Sequence, residues 1–438
     1  MLNDKSNERM CRVGAATPMG AAMRRYWLPA LQSCELSTPA GEPKGVEMLG
    51  ERFVAYRDGA GRVGFYDEAC LHRGSSMLLA RAEPEGLRCI YHGWKFAVDG
   101  TVLETPNVAD PKFRQRIRGR THPVVEAGGL IWVYLGPVEH QPDFPRWPWM
   151  DLPPSQVLVT YHVEECNYVQ VIEGLVDSSH LGVLHMNGMK QAGSSDVAFA
   201  QKVSSMQNNL APRIEAEDTE FGFYYGALRE VAEGSSIRVD ARVTAFIAPC
   251  TILNPNGDIM TVVVPIDDIR SAFFHVFWSE TESLGTEPLR SKHLHFVGLE
   301  DEVLDAFGIT NETLGRSDRP NPRNNFFQDR GAMRRGESWS GLPGLIEEDV
   351  AASVSAGPIR SRGQEMLSSA DVAVGRLYRS LLRCVDAIEA GKPPPGQGVR
   401  VDWGRVVGTH GTVDSERPWR TLIPPYQLNT ATADAQET

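Results

Sequence analysis

The chain has 438 residues, more than one hydrophobic core usually holds, which predicts two or three packed units. Hydrophobic residues make up 42% and charged residues 23%, the balance of an ordinary globular protein, and the net charge of −12 argues against nucleic acid as a partner. No apolar stretch approaches the roughly 20 residues of a membrane helix, and the N-terminus lacks an apolar signal region. We therefore expect a cytoplasmic protein without a membrane partner.

The seven cysteines are few for this length and odd in number, so the sequence predicts no disulfide framework. Two of them, Cys70 and Cys89, each stand beside a histidine at short spacing. The other five are dispersed, which is typical of small buried side chains. The two Cys–His pairs are therefore the first candidates for metal ligands.

Residues 19–138 are expected to be rich in β-strands. Apolar and polar residues alternate over 52–67, on both sides of an Asp-Gly-Ala-Gly turn. The segment 91–104 contains Asp99-Gly100, which is typical of a β-hairpin turn. Short strands joined by tight turns predict a small sandwich or barrel-like domain.

A proline-rich stretch follows this domain. Residues 137–154 contain six prolines and two tryptophans, which predicts a connecting segment over 139–155. The expected division is thus an N-terminal segment (1–18), a β-rich domain (19–138), this connection and a second domain (156–438).

The second domain is expected to combine helices with a larger antiparallel sheet. Apolar residues at near-helical spacing predict a helix over 167–184. Ser368 or Ser369 is predicted to cap a helix over 371–390, which Gly391 and the following prolines end. Strands are predicted over 219–229, 237–249, 260–266 and 271–279.

The two Cys–His pairs are Cys70 with His72 and Cys89 with His92, separated by sixteen residues. Two thiolates and two imidazoles can bind a zinc ion, or a Rieske [2Fe–2S] cluster in which histidines replace two cysteines on one iron. Zinc fingers usually pair like with like, whereas each motif here contributes one residue of each type. Glycines that follow both pairs allow backbone N–H groups to approach cluster sulfurs. The pattern favours a Rieske cluster over zinc, and over four unrelated buried residues.

A second constellation places His180 and His185 five residues apart, just after Asp177. Non-haem Fe(II) oxygenases bind iron with two histidines and one carboxylate. A five-residue step turns about 140° around a helix, so we predict a π-bulge or a break near Gly182. The histidine pair alone is a weak signal, but a Rieske cluster needs an electron acceptor. The residues alone leave several acids open as the third ligand: Asp267, Asp268, Asp329, Glu347, Glu348 and Asp349.

With these motifs, the chain resembles the Rieske non-haem iron ring-hydroxylating oxygenases, specifically the α-subunit of the phthalate 4,5-dioxygenase type. The resemblance covers nearly the whole chain and includes, besides the metal motifs, residues 12–20, 24–30, 173–180, 324–330 and 348–359. It implies an α+β fold: an N-terminal all-β Rieske domain, then a catalytic domain with an antiparallel sheet flanked by helices.

The resemblance also implies one [2Fe–2S] cluster and one mononuclear Fe(II), with O2 as co-substrate. NAD(P)H would supply electrons indirectly, through an iron–sulfur flavoprotein reductase. Asp177 matches the acid that links a histidine of each site across a subunit interface, which implies a homotrimer or a stacked hexamer. The implied ligands are Cys70, His72, Cys89 and His92 for the cluster, and His180, His185 and Asp349 for Fe(II).

Phthalate-type enzymes act on aromatic carboxylates, which suit the planar guanidinium of arginine. Arg213 and Arg242 lie in the strand region expected to line the pocket, although each also fits a solvated strand edge. An apparent insertion at 192–205 lies beside the expected pocket entrance. We expect O2-dependent hydroxylation of a phthalate- or benzoate-type acid, by cis-dihydroxylation. The alternatives are a Rieske monooxygenase that demethylates or hydroxylates once, a Rieske electron carrier and a structural zinc protein.

Overall fold

The structure is a computed structural model that describes residues 2–188, 209–233, 236–256, 258–426 and 428–430. The chain divides into two compact units, one formed by Met23–Pro145 and the other by Met1–Ala22 with Arg146–Thr438. The predicted segment 1–18 does not stand alone, because it belongs to the second unit. There Arg9 forms ion pairs with two acids of a C-terminal helix, Asp386 and Glu389. The predicted connection at 139–155 is divided between the two units.

The first unit consists of antiparallel strands. In chain order they are β1 (Trp27–Gln32), β2 (Lys44–Met48), β3 (Glu51–Arg57), β4 (Val63–Asp67), β5 (Arg81–Glu83), β6 (Gly86–Arg88), β7 (Lys95–Phe96), β8 (Val102–Glu104), β9 (Val124–Ala127) and β10 (Leu130–Tyr134). Three small sheets result: β2-β3-β4, β5-β6-β7-β8 and β1-β10-β9. The predicted all-β character of this part of the chain is confirmed.

Local turn chemistry explains the hairpins of the first unit. Between β3 and β4, Oδ1 of Asp58 accepts hydrogen bonds from the backbone N–H groups of Ala60 and Arg62. Gly61 in the same turn has a φ of 83°, which glycine adopts without strain. Apolar side chains of β3, β4, β6, β7 and β8 pack into one core, and Cys70 and Cys89 are buried within it.

The second unit is built on one antiparallel sheet. Its strands are β11 (Val157–Glu164), β12 (Arg213–Asp218), β13 (Gly222–Glu233), β14 (Ser236–Ile247), β15 (Thr251–Leu253), β16 (Ile259–Pro265), β17 (Ser271–Trp278), β18 (Val399–Val401), β19 (Thr409–Asp414) and β20 (Leu428–Thr430). The sheet has the order β11-β17-β16-β15-β14-β13-β12, and β19 also pairs with β14. β18 and β20 form a separate pair. The four predicted strands correspond to β13, β14, β16 and β17, whereas β11, β12, β15 and β18–β20 were not predicted.

Helices cover the sheet of the second unit. In chain order the α-helices of the described residues are α1 (Asp4–Cys11), α2 (Pro18–Met23), α3 (Tyr168–Val176), α4 (Leu289–Val297), α5 (Asp301–Phe307), α6 (Arg330–Arg335), α7 (Leu345–Ser355) and α8 (Val372–Glu389). α3 packs against α7, α8 and strand β16. β16 is buried along its whole length, so both of its faces are covered. None of these helices combines the length and apolar character of a membrane span.

Two helices were predicted in this unit, with different success. The helix over 371–390 is confirmed as α8, which follows a capping box in which Ser368 and Asp371 bind each other's backbone or side chain. The helix over 167–184 is wrong in length, because α3 ends at Val176. Its last residue precedes Asp177, whose extended backbone (φ −96°, ψ 104°) cannot continue a helix.

Candidate metal centres and catalytic cavity

The two Cys–His segments form a matched pair of loops. In the first, the N–H of Gly74 donates to the carbonyl of Cys70 at 2.9 Å, and the N–H of Cys70 donates to a carbonyl five residues ahead at 2.9 Å. The second repeats both bonds around Cys89, at 3.0 and 2.9 Å, with Gly93 in the place of Gly74. These glycines have φ values of 72° and 73°. The same turn therefore occurs twice and each time presents one cysteine and one histidine.

The loops bring His72 and His92 side by side. Their ring centroids are 4.5 Å apart with the planes inclined by 77°, and His72 also stacks on Trp94 at 4.4 Å. Nδ1 of His72 is buried and has no hydrogen-bond partner in the described structure. A metal ion can use that nitrogen, so the pair fits a cluster with both histidines on one iron.

The thiol of Cys70 is suited to act as a thiolate only beside positive charge. Burial raises the pKa of the Cys70 thiol to about 11, while the backbone N–H groups of His72 and Arg73 act in the opposite direction. The thiol of Cys89 also interacts with Cys70 and raises this pKa. Iron supplies the missing charge, and N–H donors directed at sulfur help to set a cluster's potential.

The helix end after α3 brings His180 and His185 together. A 3₁₀ turn over His180–Gly182 follows the extended Asp177, and the N–H of Leu184 donates to the carbonyl of His180 at 2.8 Å. The two imidazole centroids are 5.2 Å apart, with planes inclined by 77°. A break was predicted near Gly182, and the structure achieves it differently, by an early helix end and a tight turn instead of a π-bulge.

Asp349 of α7 completes a group of three with these histidines. Ligand atoms of all three residues lie within 4.8 Å of one another, the one such group of His, Cys, Asp or Glu in the described chain. Oδ1 of Asp349 is 3.1 Å from Nε2 of His185 and 3.6 Å from Nε2 of His180. Both ring nitrogens of His180 are buried and make no hydrogen bond to described residues. Two imidazoles, one carboxylate and an unsatisfied nitrogen fit non-haem Fe(II).

Glu348, next to Asp349, holds the far side of His185. Its Oε2 accepts a hydrogen bond from Nδ1 of His185 at 2.7 Å, and the hydroxyl of Ser340 donates to its other oxygen. Burial alone would lower the pKa of His185, but Asp349 and Glu348 outweigh burial and raise the pKa to about 10. The site therefore attracts positive charge, which a divalent cation can supply in place of the proton on Nε2.

Asp177 lies beside His180. Its Oδ2 is 3.6 Å from Nδ1 of His180, while Oδ1 accepts from the N–H and the hydroxyl of Ser179 at 2.7 and 2.6 Å. Burial alone would raise the pKa of Asp177, but His180 and Ser179 hold it below its usual value. Asp177 is thus a carboxylate at neutral pH and can orient the imidazole of His180.

The three candidate iron ligands line a cavity of about 560 Å³. This volume lies within the roughly 300–1,000 Å³ of small-molecule sites. One face of the sheet also forms part of its wall, because alternate residues of neighbouring strands point to the same side. The sheet residues of this wall include Tyr225, Arg242, Thr244, Thr261, Phe273, His275 and Phe277.

The two candidate substrate arginines have different environments. Arg242 is 2% exposed, lines the cavity and donates from Nη2 to Oδ1 of Asn256 at 2.8 Å. Burial, and next the charge of Arg229, lower the pKa of Arg242 to about 10, so its guanidinium stays protonated at neutral pH. The placement of Arg213 in the pocket is corrected: its side chain is 66% exposed, pairs with Glu215 and lies outside the cavity wall. The reason is that β12 is the edge strand of the sheet.

One predicted feature lies outside the described residues, and some residues of the candidate site were not predicted. The apparent insertion at 192–205 is not among the described residues. Glu348 is a neighbour of Asp349 in a run of three acids, a signal that could have pointed to a supporting role. The sequence patterns also did not indicate His162 and His275, which are buried on adjacent strands. Single histidines in apolar strands carry little signal by themselves.

Known proteins with similar sequences identify the family. Residues 26–118 match the family described as Rieske [2Fe-2S] domain, and residues 133–437 match LigXa C-terminal domain like. The chain is 35% identical over 437 residues to the phthalate 4,5-dioxygenase oxygenase subunit of Pseudomonas putida, with 97% of this chain and 96% of that protein covered. The chain belongs to the Rieske non-haem iron oxygenases of the phthalate 4,5-dioxygenase type.

This Rieske oxygenase is therefore an oxidoreductase, the oxygenase component of a multicomponent system, and its cofactors are one Rieske cluster and one Fe(II). It is also 34% identical over 410 residues to the 3-chlorobenzoate-3,4-dioxygenase oxygenase subunit of Comamonas testosteroni, with 90% and 92% of the two chains covered. Pseudomonas putida CBB5 NdmA (QL mutant with theobromine) shares the fold, with a TM-score of 0.56 at 16% identity over 85% of this chain and 93% of that chain. The predicted family, α+β fold and cofactors are confirmed.

Proposed function

We propose that this Rieske oxygenase adds both atoms of O2 to an aromatic carboxylate of the phthalate or benzoate type, by cis-dihydroxylation. One observation carries the proposal: a single cavity is lined both by the His180, His185 and Asp349 group and by the buried guanidinium of Arg242. The group of two histidines and one aspartate suits Fe(II) and leaves coordination positions for other ligands, and the guanidinium suits a carboxylate. Two relatives named for aromatic acids support the choice of substrate class.

We propose the same metal ligands that the sequence predicts. The cluster binds to Cys70, His72, Cys89 and His92, and Fe(II) binds to His180, His185 and Asp349. When bound, these groups supply the electrons and the O2-binding position, with NAD(P)H as the electron source through an iron–sulfur flavoprotein reductase. Glu348 keeps Nδ1 of His185 protonated, so that Nε2 is the nitrogen free to bind metal.

A second copy of the chain is part of the proposal, as a homotrimer or a stacked hexamer. Ile90 and Tyr91 in the second cluster loop are 56% and 55% exposed, and Arg73 of the first loop lies over the ring of Tyr91 at 5.5 Å. Large exposed apolar side chains of this kind are typical of protein contacts. Asp177 would accept hydrogen bonds from Nδ1 of His180 and from a cluster histidine of the neighbouring subunit. Light scattering of the purified protein tests the assembly, and a monomer would contradict it.

Labelled oxygen tests the reaction itself. With an aromatic acid, a reductase and oxygen-18 gas, we expect a dihydrodiol in which both new oxygen atoms are labelled. One labelled atom, in a phenol or released with a demethylated product, would instead identify a monooxygenase that acts on a substituted aromatic acid.

Paired substitutions test the role of Arg242. Arg242→Gln is expected to raise KM for the aromatic acid by about 10–100-fold, because a charged hydrogen-bond donor to the carboxylate is lost. Arg213→Gln is the matched control: its side chain is exposed, and KM should change by less than about twofold. Steady-state kinetics of product formation measure both values. Equal effects of the two substitutions would contradict the assignment.

A further inference from the structure

Three buried titratable side chains form a hydrogen-bonded row on the sheet face that lines the cavity. Nε2 of His275 is 3.1 Å from Nδ1 of His162, and Nε2 of His162 is 3.1 Å from Oε1 of Glu164. None of the three residues is more than 4% exposed. Glu164 and His275 both line the cavity, yet the proposed iron site uses neither. We call these three residues the His–Glu row.

The pairing of β11 with β17 explains why the row exists. These strands are antiparallel neighbours, with Thr160 opposite His275 and His162 opposite Phe273. Alternate residues of a strand share a face, so His162 and Glu164 lie on the same face as His275. His162 and His275 are then diagonal neighbours, which long side chains can bridge.

The donors around Glu164 determine the direction of the hydrogen bonds. The thiol of Cys166 donates to Oε2 of Glu164 at 3.7 Å. Burial raises the pKa of Cys166 well above its usual value, so the thiol keeps its proton. A glutamate carboxylate offers only acceptors, so the matching tautomer of His162 donates from Nε2 to Oε1. Nδ1 of His162 then carries a lone pair and accepts a hydrogen bond from Nε2 of His275.

This direction decides what His275 presents to the cavity. Burial lowers the pKa of His275 well below its usual value, so the ring is neutral. A neutral imidazole that donates from Nε2 keeps a lone pair on Nδ1. The ring stacks on Phe273 at 4.0 Å, and its strand partner on the other side is Thr261. The row thus makes His275 a hydrogen-bond acceptor in a largely apolar part of the wall.

We propose that His275 selects aromatic carboxylates that carry a hydroxyl or amino group on the ring, because such a group donates a hydrogen bond to Nδ1 of His275. This inference rests on the proposed function, in which Arg242 binds the carboxylate. A ring substituent of similar size that cannot donate leaves the buried acceptor without a partner, which weakens binding. His275 is thus a second specificity element, and it acts on the ring instead of the carboxylate.

Matched ligands test the preference in the unaltered protein. Dissociation constants for benzoate and for the ortho, meta and para isomers of hydroxy-, amino- and fluorobenzoate are measured by anaerobic calorimetry on the metal-loaded enzyme. Fluorine is close to a hydroxyl group in size but cannot donate. At one ring position at least, we expect the hydroxy and amino acids to bind about tenfold more tightly than the fluoro acid. This series does not depend on the folding of any variant.

Two substitutions then assign the preference to one residue. His275→Phe keeps a flat ring and removes both nitrogens, so the preference should fall to about twofold or less. Thr160→Val is the matched control, because Thr160 lies directly opposite His275 on β11 and is not among the residues that line the cavity. This variant should keep the tenfold preference. Binding of unsubstituted benzoate with the dissociation constant of the unaltered protein shows that the cavity of each variant is folded.

The outcomes separate this inference from the proposed function. If benzoate binds but no donor-bearing isomer exceeds its fluoro counterpart, the inference is wrong and the proposed function stands. A preference that survives in His275→Phe, or that Thr160→Val removes, also overturns it. If neither benzoate nor any substituted acid binds, the proposed function fails, and the inference fails with it.

Discussion

The two candidate metal sites are built in opposite ways. Each cluster loop closes on itself through two backbone hydrogen bonds and a glycine with positive φ, so its geometry is local. The iron site instead joins a helix end to a distant helix, and His185 and Glu348 are 163 residues apart in the chain. A turn fixes the first site, whereas the packing of α3, α7 and the sheet fixes the second. The iron site should therefore be the easier of the two to disturb by substitutions elsewhere in the fold.

The largest expected effect is the loss of one metal while the other remains bound. Asp349→Asn removes the charged third ligand, so we expect loss of Fe(II) and no product formation, while the cluster remains. Iron per chain should fall from about three to about two, with the Rieske EPR signal unchanged. Asp386→Asn, an exposed acid on α8, is the control. Loss of the EPR signal together with the iron would show that the two sites are not independent.

A slightly smaller effect is expected at Asp177, which we propose links the two sites. Asp177→Asn should keep both metals but lower product formation by a factor on the order of 100 or more, because the amide cannot stabilise His180 as a carboxylate does. Metal analysis and single-turnover product yield measure the two consequences. Ser179→Ala, which leaves the carboxylate in place, should have a much smaller effect. Normal coupled turnover of the Asp177 variant would refute the assignment.

Weakening the support of the iron site should have an intermediate effect. Glu348→Gln keeps an acceptor near Nδ1 of His185 but removes its charge, so Fe(II) should bind about 10–100-fold more weakly. Titration with a competing chelator measures this affinity, and excess Fe(II) should restore activity. Activity that stays low at saturating Fe(II) would mean that Glu348 serves catalysis directly.

The smallest effects are expected in the cluster loops and depend on backbone strain and on one close side-chain contact. Gly74→Ala forces an L-residue to a φ of 72° and should cost about 1–2 kcal/mol of unfolding free energy. Gly93→Ala should cost more, because its Cβ would lie 3.1 Å from Cγ of Pro106, whereas nothing lies within 4 Å of a Cβ at Gly74. Thermal loss of the cluster's visible absorption ranks the two variants. The reverse order would contradict the matched-loop description.

The contrast between local and long-range geometry explains which features could be predicted from the sequence. The cluster loops were recognisable because both ligands and the glycine of each turn are neighbours in the chain. The α+β fold followed from strand alternation together with the family resemblance, and the start of α8 from Ser368, whose capping box begins the 3₁₀ turn before this helix. Such features depend on short-range chemistry, which a single sequence displays directly.

The remainder depends on contacts between distant residues. The end of α3 at Val176 was missed because apolar spacing continues past it, while the extended Asp177 belongs to the site. The edge position of β12, which exposes Arg213, follows from strand order and not from the residues of β12. The His–Glu row likewise requires the register of β11 against β17. Asp349 entered through the resemblance, since spacing alone left six acids open.

Helix α7 contributes residues both to the proposed iron site and to the wall of the cavity. Glu348 and Asp349 are consecutive residues, about 100° apart around the helix axis, and they contact opposite nitrogens of the one ring of His185. Leu345 and Ala352 of the same helix line the cavity. Because a helix moves as a stiff rod, a ligand that displaces it shifts both contacts in the same motion. Such a ligand would change the contact at the nitrogen proposed to bind Fe(II) together with the contact at the opposite nitrogen of the ring.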